Sequence, residues 1–191
     1  MGSDKALLPF RGGNLLEVAL GKARQVSPTP IIVGDRELYS PFGEVVEDRF
    51  RGCGPLGGIH AALCATQTDL NLVLSVDMPL MTVDFLLWLA QLAAKRGELA
   101  SVPEAQGRRQ PLCAVYRRAA KSVIEHALTM GDFKVDHIFS SIPTRCVPEV
   151  ELLAAGFSSD IFCNVNTRDD YETVRNMQEQ GPPPFSESHS Q

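Results

Sequence analysis

Apolar positions along the chain fall into alternating short runs and helical stripes. Leu15, Leu16, Ala19, Leu20 and Ala23 recur at helical spacing, with Asn14 placed to cap them. Ser27-Pro28-Thr29-Pro30 ends that helix. Ile31-Ile32-Val33 is a β-branched run stopped by Gly34-Asp35, and Glu44-Val45-Val46-Glu47 is a second short strand ending at Asp48. A glycine-rich stretch from Gly52 to Gly58 leads into a stripe of Ile59, Ala62 and Leu63. Leu70 to Val76 is the strongest strand signal. It is nearly continuously apolar, which predicts a strand covered on both faces. Thr82 caps a helix carrying Phe85, Leu86, Leu89, Leu92 and Ala93. Strands are predicted at Leu99–Val102 and Pro111–Tyr116, around a polar turn at Gln106-Gly107-Arg108-Arg109. Helices follow at Arg117–Leu128 and Lys134–Phe139, and strands at Thr144–Val147 and Ile161–Val165. Thr167-x-x-Asp170 is a capping box opening a last helix to about Gln180, stopped by Gly181 and three prolines.

Strands alternating with helices predict an α/β Rossmann-like three-layer sandwich with a mostly parallel sheet. One domain over residues 1–180 is expected, with residues 181–191 a disordered tail. Ligands of such sheets sit beyond the carboxyl ends of the strands. That rule selects Gly34, Asp48, Asp77 and Asn164 from topology alone.

Composition narrows the function classes. The chain has 191 residues, 44% hydrophobic and 21% charged, enough to bury a core. Net charge is −5 without a long basic run, which argues against general nucleic-acid or membrane-surface binding. No apolar run reaches the about 18 residues of a bilayer span, and Met1-Gly2-Ser3-Asp4-Lys5 has no secretory apolar core, so a cytoplasmic location is expected. The five cysteines are an odd set with no C-x-x-C pair, as expected for small buried hydrophobes in a reducing compartment. His60 and Cys64 share a helix face but bring no further ligand with them.

The remaining candidates are carboxylates, glycines and amides. Asp77 follows the strongest strand, ahead of Pro79; it suits Mg²⁺, or serves as a turn or N-cap aspartate. Asp48 can hold a nucleotide base or ribose, or cap the following loop. The glycines before the Ile59 stripe let a ligand reach the backbone, or form an ordinary loop. Asn164 and Asn166, two apart, share one side of an extended segment and either meet a ligand or make Asx turns. Lys5 alone reads as a solvated surface residue.

Together, Met1-Gly2-Ser3-Asp4-Lys5-Ala6-Leu7-Leu8, Glu47-Asp48, Gly54-Pro55-Leu56-Gly57-Gly58, Val76-Asp77-Met78-Pro79 and Asn164-Val165-Asn166-Thr167 resemble the molybdenum cofactor guanylyltransferases (MobA-like), nucleotidyltransferases of the glycosyltransferase-A-type α/β fold. The resemblance runs from Met1 to about Gln178. It implies transfer of GMP from GTP to the phosphate of the molybdopterin cofactor, with release of pyrophosphate. It further implies Lys5 on the triphosphate, Asp48 on the nucleotide, Gly57 and Gly58 along the guanosine, Asp77 on Mg²⁺, and Asn164 and Asn166 near the acceptor. Partners implied are GTP, molybdopterin, and molybdoenzymes or other cofactor-assembly proteins. Gly34 stands where such enzymes often carry asparagine. The family's pattern starts upstream of Met1, with an apolar strand and a loop of the form L-A-G-G-x-S-x-R. The sheet is therefore expected without its first strand, either because the natural chain starts earlier or because this is a shortened, inactive form. A cytidylyl- or guanylyltransferase with another phosphate acceptor, and a non-catalytic nucleotide- or cofactor-binding module, are the alternative functions.

Overall fold

The computed structural model describes residues 4–179. Asp4 accepts from the Ala6 N–H and so opens a 3-10 turn over Lys5–Leu7. A small antiparallel ribbon follows, β1 (Pro9–Phe10) with β2 (Gly13–Asn14). Helix α1 (Leu15–Val26) starts on a full capping box: Asn14 accepts from the Glu17 N–H and Glu17 from the Asn14 N–H, both at 2.9 Å. Strand β3 (Ile32–Val33) pairs in parallel with β4 (Val45–Val46), and one turn of helix, α2 (Arg36–Tyr39), lies between them.

Helix α3 (Pro55–Ala65) leads to β5 (Leu70–Leu74), α4 (Val83–Ala94), β6 (Ala100–Ala105), β7 (Arg108–Arg109) and β8 (Cys113–Arg117). Helices α5 (Lys121–Thr129) and α6 (Val135–Ser141) cross to β9 (Thr144–Val147), and α7 (Glu149–Ala154) and α8 (Arg168–Glu179) finish the described chain. The main sheet has five strands in the order β5-β8-β6-β7, with β9 also on β6.

The α/β layering is as expected, and the sheet is mixed rather than mostly parallel. The β6–β9 pairing is parallel, while β8 runs antiparallel to both β5 and β6. The cause is local. Gln106 and Gly107 turn the chain tightly between β6 and β7, and a tight turn can only join antiparallel strands; the long helical crossover to β9 permits a parallel one.

One face of the sheet is covered by α3, α5 and α6, where Leu56, Ile59, Leu63, Ile124 and Ile138 bury against Val102, Ala114 and Tyr116. The other is covered by α4 and α7, where Phe85, Leu86, Leu89 and Leu152 meet Val115 and Val147. A smaller cluster of Ala6, Leu16, Leu20, Ile32 and Val45 reaches Val76 just past β5.

Two sequence expectations change. Leu70–Val76 is a strand only to Leu74, and all five of its residues are half-buried, because among the described residues only β8 pairs with it. Ile161–Val165 is no strand. Ser159–Phe162 forms a 3-10 turn, and the extended segment after it makes a single ladder-like bond, Val165 N–H to Asp77 C=O at 2.8 Å. The 3-10 turn, the β1–β2 ribbon, α2 and α7 carry too few periodic residues to show in the sequence. The expected tail lies outside the described residues.

Candidate active site

The strand ends converge on Asp77. That residue leaves β5 two positions after Ser75, whose N–H still pairs with Leu112 C=O. Asp77 then takes the Val165 N–H on its own carbonyl, which fixes Asn164 and Asn166 beside it. The Asp77 side chain is half-buried, and its Oδ1 is shielded from solvent without any hydrogen-bond partner among the described residues. A carboxylate oxygen desolvated without a donor costs free energy unless a ligand completes it. That orphan oxygen fits a divalent cation, which would need only one or two protein carboxylates and would fill its other positions with water and phosphate oxygens. No cluster of three or more His, Cys, Asp or Glu side chains with ligating geometry occurs among the described residues, so a closed protein-only metal cage is not what the site offers.

Lys5 reaches this segment through Asn166. Its Nζ donates to Asn166 Oδ1 at 3.1 Å, across 161 positions of sequence. The preceding residue anchors it: Asp4 caps the 3-10 turn through one carboxylate oxygen and takes the Tyr39 hydroxyl on the other. The Tyr39 hydroxyl is held protonated, its pKa raised first by burial and then by this bond. Tyr39 also covers Gly34, where a Cβ would collide with its ring, so glycine is the residue that lets β3 end there.

Asp48 and the glycine loop come together on the far side of β3. Asp48 Oδ1 accepts from the Phe50 N–H at 2.7 Å, as a loop cap does. A methyl on Gly57 would collide with Asp48 Oδ2, so the carboxylate lies directly on the first turn of α3. Gly54, at a φ of 66°, opens that helix without a side-chain cap, and Pro55 at its first position has no N–H to satisfy. Gly58 faces Val33. Asn166 and Thr167 N–H groups both bond Asp170 Oδ2, which with the Thr167 hydroxyl completes the predicted capping box of α8. These bonds hold the Asp170 carboxyl below its ordinary pKa.

Two features went unnoticed in the sequence. Lys22 sits on the α1 face, half-buried, with its Nζ donating to Pro79 C=O at 2.6 Å and so bracing the loop after Asp77. Burial, helped by the nearby Arg11 charge, lowers its pKa to about 8. Its position beside Ala19 and Ala23 on an otherwise apolar stripe was the available signal. The second is the unequal compensation of Arg108 and Arg109 in the β6–β7 hairpin, whose turn the sequence did show. Conversely, Cys64 Sγ lies 3.5 Å from His60 Nε2 as helix spacing predicted, but the pair only packs against Phe50 and Glu125.

The model of the MobA-like NTP transferase domain matches residues 1–145. This chain belongs to that family. A probable molybdenum cofactor guanylyltransferase of Bacillus subtilis is 33% identical over 178 residues, covering 91% of this chain and 87% of the relative. Among solved structures, molybdopterin-guanine dinucleotide biosynthesis protein A from Archaeoglobus fulgidus superposes with a TM-score of 0.81 at 27% identity, over 94% of this chain and 92% of that one. The 2-C-methyl-D-erythritol 4-phosphate cytidylyltransferase of Thermus thermophilus, at 16% identity, covers 92% of this chain and 94% of its own with a TM-score of 0.67, and shows the shared fold. The MobA-like chain is thus an enzyme of the nucleotidyltransferase class. Among its described residues no helix is long and apolar enough to cross a membrane.

Proposed function

We propose that this MobA-like protein transfers GMP from GTP to the terminal phosphate of molybdopterin and releases pyrophosphate, as one transferase unit over residues 1–180 in the cytoplasm. The observation that carries the reading is an unpartnered Asp77 carboxylate oxygen at a strand end, on a backbone that pairs with Val165, next to the Asn166 that takes Lys5. Names of relatives support the choice of substrates, and the geometry supports the division of labour among the residues.

Asp77 Oδ1 is the group that would hold Mg²⁺, whose contribution when bound is to neutralise charge on the triphosphate and on the leaving pyrophosphate. Lys5 adds a second, mobile positive charge at the same edge, and Asn166 aims it. The acceptor phosphate oxygen is already a competent nucleophile, so no serine, cysteine or histidine base is called for. The protein's task is alignment and electrostatic compensation. Asp48 lies on the first turn of α3 against Gly57, where it meets the nucleoside; with Gly57 and Gly58 lacking side chains, the base can approach the α3 backbone. Asn164 and Asn166 border the acceptor side.

The direct test is pyrophosphate release by the protein with molybdopterin, Mg²⁺ and each of GTP, CTP and ATP. Release with GTP alone supports the reading. Release with CTP in preference moves the assignment to a cytidylyltransferase. GTP binding without release from any nucleotide overturns transfer and leaves a binding module.

A further inference from the structure

Beside Asp77 opens a cavity of about 680 Å³, running from Met78 and Asn164 to the β6–β7 hairpin. That volume suits a ligand of roughly bicyclic size with an arm. Met78, Leu112 and Phe162 give it an apolar lining, and its polar lining carries amides, the guanidinium of Arg109 and that of Arg108.

The hairpin is braced at every point but that one. Its tip residue Gln106 has a φ of 53°, left-handed for a residue with a side chain, and its N–H is held by Glu149 Oε2 at 3.1 Å. Such a conformation costs free energy and persists only where the surroundings impose it. Gln110 ties both strands, donating to Ala105 C=O at 3.4 Å and Arg108 C=O at 3.5 Å. Arg109 is compensated by Glu104 at 3.5 Å and Asp136 at 3.7 Å, and lies over the Phe139 ring. Arg108 lines the same cavity but is exposed, with no carboxylate on its guanidinium among the described residues, so of the two it is the cation left for a ligand. The one carboxylate lining the cavity, Asp170, is already engaged by the Asn166 and Thr167 N–H groups and depressed in pKa.

We infer that this cavity is the acceptor subsite and that Arg108 is its specificity-determining cation. The inference rests on the transfer reading above. It adds that the acceptor's phosphate arm points to Asp77 and Asn164, while its flat ring lies on Met78 and Phe162 under Arg108. A planar guanidinium suits that place, because it stacks on a heteroaromatic face and donates in its own plane to a ring carbonyl.

The experiment compares the protein with its Arg108→Ala and Arg108→Lys variants. Calorimetry measures the affinity for molybdopterin and, separately, for GTP with Mg²⁺; steady-state assays give both KM values. Arg108→Ala is expected to weaken molybdopterin binding and raise its KM at least about tenfold, with GTP affinity and the unfolding midpoint unchanged. Arg108→Lys recovers less than half of that loss, since an ammonium neither stacks nor forks. Molybdopterin affinity within about twofold of the parent in Arg108→Ala overturns the inference while leaving GMP transfer standing. Full recovery by lysine overturns the stacking geometry. Absence of molybdopterin binding by the unaltered protein overturns the acceptor identity, and this inference with it.

Discussion

The two sides of Asp77 are built differently. On the β5–β8 side the two five-residue strands pair along their whole length, Tyr116 of β8 is fully buried, and Phe85, Leu86 and Leu89 are fully buried against the sheet. On the β3–β4 side the ladder is two residues long, and the neighbouring elements are held by contacts of individual side chains: Tyr39 on Asp4 and Gly34, Asp48 on Gly57, Lys5 on Asn166. The first side is a frame whose stability is shared over many contacts. The second is held mainly by single polar contacts, which the proposed nucleotide would exchange for its own. Binding surfaces come from the less cooperative part of a fold for this reason.

The contrast breaks most severely at the frame. Leu89→Ala empties a fully buried position under β5 and β8 and is expected to cost about 2–5 kcal/mol in urea unfolding. Ile32→Ala, in the small cluster where a two-residue ladder can relax into the space, falls at the lower end of that range, about 2 kcal/mol. Equal losses at the two positions count against the distinction.

The site is expected to fail in the opposite way. Asp77→Ala removes the orphaned carboxylate and should cut turnover by about 10²–10³-fold without lowering the unfolding midpoint. Lys5→Ala, which removes an exposed side chain bonded to Asn166, should do the same to turnover. Near-normal GTP turnover by Asp77→Ala rejects its assigned role.

Smaller effects sharpen the nucleotide side. Gly57→Ala sets a methyl against Asp48 and is expected to cost about 1–3 kcal/mol and to weaken GTP binding; Gly58→Ala meets only ordinary contact with Val33 and should be tolerated. Similar outcomes for the two glycines would falsify the Asp48–Gly57 contact. The smallest effect concerns His60, buried in α3, whose pKa is lowered first by burial. Between its folded and its unfolded value near 6.5 the unfolded chain binds a proton and the folded one does not. Its contribution is therefore present above pH 6.5 and is lost as pH falls toward the folded value. Urea midpoints at pH 7, 6 and 5 should drop more steeply for the parent protein than for His60→Leu, by less than about 1.4 kcal/mol per pH unit.

Asp77, Asp48 and the 54–58 glycine loop were legible because each follows or precedes a strongly patterned element, and strand ends in α/β folds are where ligands sit. The two asparagines were legible as a pair, though the strand expected before them proved to be a 3-10 turn and an extended segment with a single ladder-like bond. Lys22 and Arg108 were not legible. A lysine on a helix flank and an arginine in a polar turn look like solvated residues until burial and the pairing of their neighbours are known.

The order of the longer elements, the helix caps at Asn14, Thr82 and Thr167, and the apolar faces were written locally, in residues a few positions apart, so periodicity and capping chemistry alone determined them. Which strands lie side by side, that Lys5 reaches Asn166, and that one hairpin arginine is compensated while its neighbour is not, depend on residues tens to more than a hundred positions apart. No local pattern encodes such pairings, because their free energy exists only once the layers have packed.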